Sequence, residues 1–325
     1  MSESIYKSCF SSWIKGVLDT REALGYVCHT YASLFTDFDR YCAFEHPEET
    51  VLTENLVHSW VMNGKAINSG TQCRAAAMRL LAEYIRLSGQ EAYLLPTRYF
   101  SRQPPAERYI FSDHDMTSLF SAIDQMPESR TVLYSNRILP VLFRLIYTCG
   151  LRPKEGRELE RKHINLETGE ILITNTKKKK ERFVVMAEDM RILCVNYDRM
   201  RQFFYEDNPY FFPGSESAPI KGSWLNRQFQ LCWARANPDV LPEQLPHVTI
   251  YNLRHRFATY NINRWLEQGK DMNAMLPKLR TYMGHHTLSE TAYYIHMLPE
   301  NLLKNKGIDW ESFTDIIPEA KSWQK

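Results

Sequence analysis

The sequence predicts a mostly α-helical protein with one small β-hairpin, an α+β fold built from a helical N-terminal domain and a larger second domain. Apolar residues recur at helical spacing along most of the chain. Two short β-prone runs, 170–174 and 182–186, stand on either side of four consecutive lysines, as the strands of a hairpin would. Between 96 and 111 a proline-rich stretch interrupts the helical pattern, which predicts a domain boundary there.

Residues 1–95 are expected to form the small helical domain. Leu34 and Phe38, like Leu81 and Ile85, are four residues apart and belong to apolar helical stripes. Basic residues follow in the later half of the segment, at Arg74, Arg79 and Arg86. Two interpretations fit these basic residues: the solvated face of a helical bundle, or a surface that contacts an acidic partner.

The connector, 96–111, is expected to be extended. Pro96 and the tandem Pro104–Pro105 disfavour a helix. Its arginines, among them Arg98 and Arg102, suit a segment that crosses a phosphate backbone. An ordinary charged linker has the same composition, so both interpretations stay open.

The second domain, 112–325, is expected to be helical apart from the hairpin. Ser112 and Asp115 stand at the N-cap and N3 positions of a capping box, which predicts a helix start. Further helices are predicted at 224–236, 252–266 and 272–283. The tail, from about 298 to 325, contains apolar residues surrounded by charge.

Composition excludes several classes of protein. No uninterrupted apolar stretch approaches the roughly 18 residues of a membrane helix, and the N-terminus has no secretory signal pattern. The seven cysteines form no C-x-x-C pair, which argues against a zinc ribbon and for reduced thiols in a cytoplasmic protein. A net charge of +2 is a weak indication of nucleic-acid binding, but the segment 144–191 is richer in lysine and arginine than in acids.

An ordered set of polar residues from the middle of the chain onward indicates one kind of chemistry. Arg152 lies in the run T-C-G-L-R-P-K-E, Arg254 in Y-N-L-R-H, His285 in M-G-H and Tyr294 in T-A-Y-Y-I-H, and a lysine block precedes the last three. A tyrosine hydroxyl, with a pKa near 10, needs nearby positive charge to become a nucleophile. Arginines supply that charge and bind two phosphate oxygens at once. The set therefore suits attack on a phosphodiester.

These motifs resemble those of the tyrosine recombinase (phage integrase) family, of the Xer and Cre type. The family pattern runs T-G-L-R-x-x-E, a hairpin lysine, H-x-L-R-H, L-G-H, and a tyrosine nine residues after that last histidine. Here 294 − 285 = 9, which matches Tyr294 rather than its neighbour Tyr293. The resemblance covers most of the chain and is strongest from about 140 to 300. It implies a core-type DNA-binding domain in 1–95 and a catalytic domain in 112–325.

The resemblance also implies a role for each matched residue. Arg152 and Arg254 would clamp the non-bridging phosphate oxygens, His285 would donate a hydrogen bond to one, and Tyr294 would be the nucleophile. Lys177, matched by its distance from the following K-E-R, would protonate the leaving 5′ oxygen, with Lys178 and Lys179 as rivals. The DNA contacts would be Lys178, Lys179, Lys180, Arg74, Arg79, Arg98 and Arg102.

One position departs from the family pattern. Three residues before the second arginine the family usually has histidine, and here it has Tyr251, which can donate a hydrogen bond but is a far weaker base. Glu155 and His255 match family positions behind the reacting groups: Glu155 would accept a hydrogen bond that orients an active-site group, and His255 would pack beneath the site. The remaining histidines lack acidic partners at metal-motif spacing and form no H-E-x-x-H, so no metal is predicted.

The resemblance implies a site-specific recombinase or integrase of a mobile element, working through a 3′-phosphotyrosyl intermediate without metal, ATP or other cofactor. Double-stranded DNA would be its partner, bound by a homo-tetramer on two duplexes, with a monomer or weak oligomer in the free state. An accessory directionality factor is a further candidate partner, and the setting would be the cytoplasm, at the nucleoid. The tail would fold on its own domain or dock on a neighbouring protomer. Two alternatives stay open: an enzyme like the type IB topoisomerases, and a DNA-binding accessory protein with impaired catalysis.

Overall fold

A computed structural model describes residues 6–63, 69–100, 108–174, 181–215 and 217–296. By its internal contacts the chain divides into two compact units, 1–106 and 107–325, each with its own hydrophobic core. The division falls inside the predicted connector. The assignment of a DNA-binding domain to 1–95 and a catalytic domain to 112–325 stays a prediction.

The first unit is built from four helices around an aromatic centre. Phe38 packs edge-on against Trp60, with their ring centroids 5.1 Å apart, and Phe10 lies 5.6 Å from Phe38. The hydroxyl of Thr53 accepts from the backbone of Leu56 and so fixes the start of the third helix. The helices are α1 (Ser11–Ala23), α2 (His29–Glu45), α3 (Glu54–Met62) and α4 (Ser69–Leu87).

The second unit is helical with two small antiparallel sheets. Its first helix begins with the predicted capping box, in which the hydroxyl of Ser112 and the carboxylate of Asp115 each accept from the other's backbone N–H. The elements are α5 (Asp113–Asp124), α6 (Ser135–Thr148), α7 (Pro153–Arg157), β1 (Glu170–Ile173), β2 (Arg182–Val185), α8 (Glu188–Phe204), β3 (Pro213–Ser215), β4 (Ala218–Pro219), α9 (Gly222–Ala236), α10 (Tyr251–Glu267), α11 (Met272–Met283) and α12 (Leu288–His296).

The predicted hairpin is present as β1 and β2, which pair from Glu170 opposite Val185 to Ile173 opposite Arg182. Its inward face is buried, while Phe183 and Val185 are exposed. The segment 175–180, with the four lysines, lies outside the described residues. The second strand pair, β3 with β4, was not predicted, because strands of two or three residues are too short to show an alternating pattern.

Helix α6 is the central element of the second unit and contacts α5, α7, α8 and α10. It ends in a turn at Gly150, whose φ of +58° is the left-handed conformation that favours glycine. A Cβ at Gly150 would lie 2.5 Å from the ring of Phe257 in α10. This tight turn holds the segment that follows, which begins with Arg152, close against α10.

The fold class is thus confirmed: a mostly helical protein with small antiparallel sheets. Within the described ranges, no helix is both long enough and apolar enough to cross a membrane.

Candidate active site

Three arginines meet at the C-terminal end of α11. The last carbonyls of a helix have no partner within it and form the negative end of the helix dipole. Here the successive carbonyl oxygens of residues 282, 283 and 284 accept hydrogen bonds from Arg182 (2.8 Å), Arg254 (2.7 Å) and Arg152 (2.7 Å), in that order. One helix end therefore brings together groups that lie far apart in the sequence.

Gly284 makes this arrangement possible. It ends α11 in the left-handed conformation, with a φ of +65°, as the predicted tight helix-to-loop turn requires. A Cβ there would lie 2.9 Å from Nη1 of Arg182. The turn must therefore be glycine for both backbone and packing reasons, and it sets the direction of the next residue, His285.

Glu155 neutralises part of this positive charge. Its buried carboxylate accepts from Arg182 at 2.7 and 3.0 Å and from the Arg152 side chain at 2.7 Å. Burial alone would raise the pKa of Glu155, but the hydrogen bonds and charges of Arg182 and Arg152 outweigh it and lower the pKa to about 2. The carboxylate is therefore ionised at every physiological pH, and it orients both guanidinium groups.

Replacing Glu155 with glutamine is expected to lower the free energy of unfolding at neutral pH by roughly 3 kcal/mol, the value of a pKa depressed from about 4.5 to about 2. Since the folded-state pKa is the lower one, this stabilisation is complete above pH 4.5 and is lost as the pH falls towards 2. Urea unfolding of both proteins at several pH values measures the difference, which should disappear near pH 2.

Glu188→Gln is the matched control for that experiment, because the Glu188 carboxylate binds Arg191 through two hydrogen bonds but is exposed. Exposed ion pairs contribute little, so this change should leave stability nearly unaltered. Equal effects of the two substitutions would contradict the role given to Glu155.

The guanidinium of Arg254 is buried and makes its hydrogen bonds to backbone carbonyls. Its side chain is 0% exposed, and burial lowers its pKa. Nη1 donates to the carbonyl of Gly150 and Nη2 to that of Met283, but Nε has no partner among the described residues. Nor does any carboxylate in the described part of the chain form an ion pair with it. Among the described residues, Arg152, Arg182 and Arg254 together oppose the single carboxylate of Glu155, which leaves this group of side chains positive.

Tyr294 lies beside the guanidinium of Arg254. Helix α12 packs on α10 and α11, and it turns Tyr294 inward to 3% exposure while Tyr293 is only half-buried. The Tyr294 hydroxyl lies 3.2 Å from Nδ1 of His255. Burial raises the pKa of Tyr294, and the guanidinium of Arg254 acts against that rise. An anion bound at the arginines would therefore lie close to the Tyr294 hydroxyl.

His285 lies against the face of Tyr294, with ring centroids 5.9 Å apart and planes only 18° from parallel. Its Nδ1 is 2.8 Å from the hydroxyl of Thr291. Burial and the charges of Arg254 and Arg152 lower the pKa of His285 to about 4, so the imidazole is neutral at pH 7. A neutral imidazole retains one N–H with which to bond a bound group.

Tyr251, at the position where the family has histidine, is the first residue of α10 and is 36% exposed. Its phenol interacts with the guanidinium of Arg152, and its ring lies 5.1 Å from that of His255. The departure from the family pattern therefore lies within the same cluster, next to the first arginine.

The structure does not describe every predicted site residue, and it places others in the first unit. Lys177, Lys178, Lys179, Lys180 and Arg102 lie outside the described residues. In the first unit, Arg98 is exposed, whereas Arg74 and Arg79 donate to the carbonyls of Trp60 (3.4 Å) and Pro96 (3.2 Å). Their contacts with DNA stay predictions.

Arg182 and Arg108 contact predicted site residues but were not themselves predicted. Arg182 appeared in the sequence only as part of the K-E-R run, although a lone cation on a short strand next to a predicted active site was an available signal. Arg108 donates to Nε2 of His255 at 2.7 Å across 147 positions of sequence. No spacing rule connects residues that far apart.

Comparison with known proteins gives a consistent result. The family model described as the phage integrase family matches residues 111–301. A protein named as an integrase/recombinase, y4rE of Sinorhizobium fredii, is 30% identical over 290 residues, covering 87% of this chain and 90% of its own. The XerH site-specific recombinase, in a structure of its post-cleavage complex with palindromic difH substrate, has a TM-score of 0.63 at 19% identity, covering 94% and 85% of the two chains. The Tn1549 transposon integrase with transposon right end DNA has a TM-score of 0.59 at 14% identity, covering 87% and 94%. This chain belongs to the phage integrase family of tyrosine recombinases, which are DNA-binding proteins that act in DNA recombination.

Proposed function

We propose that this protein is a site-specific recombinase that cuts and rejoins DNA through a 3′-phosphotyrosyl intermediate, as the integrase of a mobile element. The observation that carries the proposal is the buried charge of Arg254, which forms no ion pair among the described residues, beside the hydroxyl of Tyr294. A buried charge without a partner is costly, and a protein retains one where a ligand of opposite charge completes the site.

The charges of these side chains suit a phosphodiester. A phosphodiester carries one negative charge, and its pentavalent transition state carries two. Arg152, Arg182 and Arg254 against Glu155 leave a surplus of two positive charges, with His285 neutral. Donors held in place before the substrate arrives stabilise a developing charge without further reorganisation. Arg152 and Arg254 would bond the non-bridging oxygens, and Nε of Arg254 is a donor that has no hydrogen-bond partner in the described part of the chain.

The reaction would proceed by in-line transfer. The Tyr294 oxygen forms the new bond to phosphorus, the bond to the 5′ oxygen breaks, and Lys177 gives that oxygen a proton while the phenolic proton passes to water. A 5′ hydroxyl from a partner duplex reverses the step. Because the phosphotyrosyl bond conserves the energy of the phosphodiester, the cycle needs no ATP, and the positive charge comes from the side chains rather than from a metal.

Tyr251 would act as a hydrogen-bond donor to the phosphate and not as a base. Its place beside Arg152 supports that role. A phenol can donate a hydrogen bond, but it is a far weaker base than the imidazole of histidine. Cleavage would then proceed without the assistance that the family's usual histidine gives.

We further propose a homo-tetramer on two duplexes, formed from a monomer or weak oligomer, with an accessory directionality factor. Double-stranded DNA as the partner is supported by similar proteins: XerH is bound to its difH substrate, and the Tn1549 integrase to transposon right end DNA. Lys178, Lys179, Lys180, Arg74, Arg79, Arg98 and Arg102 would contact the duplex. Neutralising one phosphate contact is expected to lower the salt dependence of binding by about one unit of slope.

Strand exchange between two DNA fragments that carry the sequence flanking the gene tests this function. We expect recombinant products from sites of one sequence and no relaxation of a supercoiled plasmid that lacks the site. Relaxation of any plasmid by the monomer would favour an enzyme like the type IB topoisomerases. Tight, site-specific binding with neither exchange nor cleavage would favour an accessory DNA-binding protein.

A further inference from the structure

We infer that Arg108 fixes the tautomer of His255, so that His255 donates a hydrogen bond from Nδ1 to the oxygen of Tyr294. Both are positioning residues in this account: neither would touch the DNA phosphate, and both act through the nucleophile. The inference rests on the proposed function for its catalytic consequence, but the hydrogen-bond direction follows from the chain itself.

The three groups form a chain of contacts inside the second unit. Nη1 of Arg108 lies 2.7 Å from Nε2 of His255, and Nδ1 of His255 lies 3.2 Å from the Tyr294 hydroxyl. His255 is 3% exposed, so water does not offer its nitrogens an easy alternative partner. The imidazole therefore connects the Arg108 guanidinium directly to the nucleophile.

The direction of each hydrogen bond follows from the chemistry of the groups. A guanidinium has five N–H donors and no acceptor, so Nε2 of His255 must accept from Arg108. Burial and the charges of Arg108, Arg254 and His285 lower the pKa of His255 to about 3, so the ring is neutral. A neutral imidazole has a single N–H, and with Nε2 accepting, that hydrogen is on Nδ1. Nδ1–H then donates to the Tyr294 oxygen.

The position of Arg108 is built into the fold. The amide of Asn252, in the first turn of α10, donates to the backbone carbonyl of Tyr109 at 2.8 Å and so ties the neighbouring residue to the helix that carries His255. The Tyr109 hydroxyl donates to Asp115 at 2.8 Å. The Arg108 guanidinium also lies 5.8 Å from the centre of the Tyr293 ring, within the range of a cation–π contact.

The direction of the hydrogen bond from Nδ1 of His255 to Tyr294 determines what His255 can do in the reaction. Because Nδ1 already carries a hydrogen, His255 does not take the proton of Tyr294, and the phenolic hydrogen points away from it. As the phenol loses that proton and attacks, the N–H of His255 remains to stabilise the negative oxygen. Hydrogen bonds to charged groups are stronger than those between neutral groups, so this bond strengthens as the reaction begins.

A matched pair of substitutions tests the donor. The amide nitrogen of asparagine takes the place of Nδ1, whereas that of glutamine extends towards Nε2. His255→Asn should keep cleavage within a few-fold of the unmodified protein, and His255→Gln should lower the single-turnover cleavage rate about 10- to 100-fold, as expected for one hydrogen bond to a charged group. DNA affinity should be unchanged in both. Equal rates for the two variants would overturn the inference.

Arg108 is tested by substitution and by the tautomer itself. In full-length protein labelled with ¹⁵N-histidine, the His255 resonances, identified by their loss in His255→Asn, should report hydrogen on Nδ1 and a neutral ring down to about pH 4. Arg108→Lys keeps a cation that only donates and should preserve this tautomer. Arg108→Met should shift the ring towards the Nε2–H form and slow cleavage. Hydrogen on Nε2 in the unmodified protein, or an unchanged tautomer in Arg108→Met, would overturn the inference.

The tautomer measurement needs no DNA and no activity, so it separates two kinds of failure. Hydrogen on Nδ1 together with no protein–DNA adduct would leave the hydrogen-bond chain correct and count against the proposed function. An adduct on Tyr294 together with hydrogen on Nε2 would count against the role of Arg108 and leave the proposed function standing.

Discussion

Tyr294→Phe is expected to abolish formation of the covalent protein–DNA adduct and to leave DNA binding intact. Phenylalanine keeps the ring that packs between α10, α11 and α12 but removes the only atom that attacks phosphorus in this account. Removing the nucleophilic serine of a serine protease lowers the rate on the order of 10⁶-fold, so no adduct should be detected here. The assay is a nicked duplex carrying the site, quenched in denaturant, with the linked product resolved on a denaturing gel.

Tyr293→Phe is the control, because the Tyr293 ring faces the guanidinium of Arg108 and phenylalanine keeps that ring. It should form the adduct at close to the normal rate. An adduct that persists in Tyr294→Phe and disappears in Tyr293→Phe would show that the nine-residue spacing selects the wrong tyrosine.

Arg254→Lys is expected to lower the single-turnover cleavage rate about 10²- to 10³-fold, the usual cost of removing one donor to a developing oxyanion. The guanidinium of Arg254 bonds the carbonyls of Gly150 and Met283 at one end and leaves Nε for a ligand. A lysine ammonium has a single nitrogen and cannot serve both carbonyls and a phosphate in this geometry. Rates at saturating protein concentration measure the chemical step apart from DNA affinity.

Arg264→Lys provides the matched change in the same helix, since Arg264 is on α10 but exposed. Its cleavage rate should equal that of the unmodified protein. A loss of less than about tenfold in Arg254→Lys would mean that Arg254 serves to join α6 and α11 rather than to bind phosphate.

Much of the fold could be predicted because its signals are local. The helices predicted at 252–266 and 272–283 are present as Tyr251–Glu267 and Met272–Met283, since their apolar spacing and the glycine turn at 284 are features of consecutive residues. The helix predicted at 224–236 begins two residues earlier, at Gly222, where no polar side chain caps it and the sequence offers no start signal. The helix start at Ser112 could be predicted because the side chains that cap it, Ser112 and Asp115, are recognisable in the sequence.

The candidate site could be predicted only in part. Motif spacing selected residues that the structure brings together, Arg152, Arg254, His285 and Tyr294, although their catalytic roles stay predictions. What the sequence could not predict are the contacts across it: Arg182 on Glu155, the arginines on the carbonyls of α11, and Arg108 on His255. Such contacts depend on how α10, α11 and α12 pack, and no local pattern encodes that packing.

The position of the covalent bond in the unmodified protein shows which residue attacks the DNA. The protein is incubated with DNA flanking its gene and quenched in denaturant. Nuclease and protease digestion then leave a nucleotide-bearing peptide for mass spectrometry. We expect a nucleotide joined through its 3′ phosphate to Tyr294. A 5′ linkage, a different modified residue, or tight DNA binding without any adduct would contradict it.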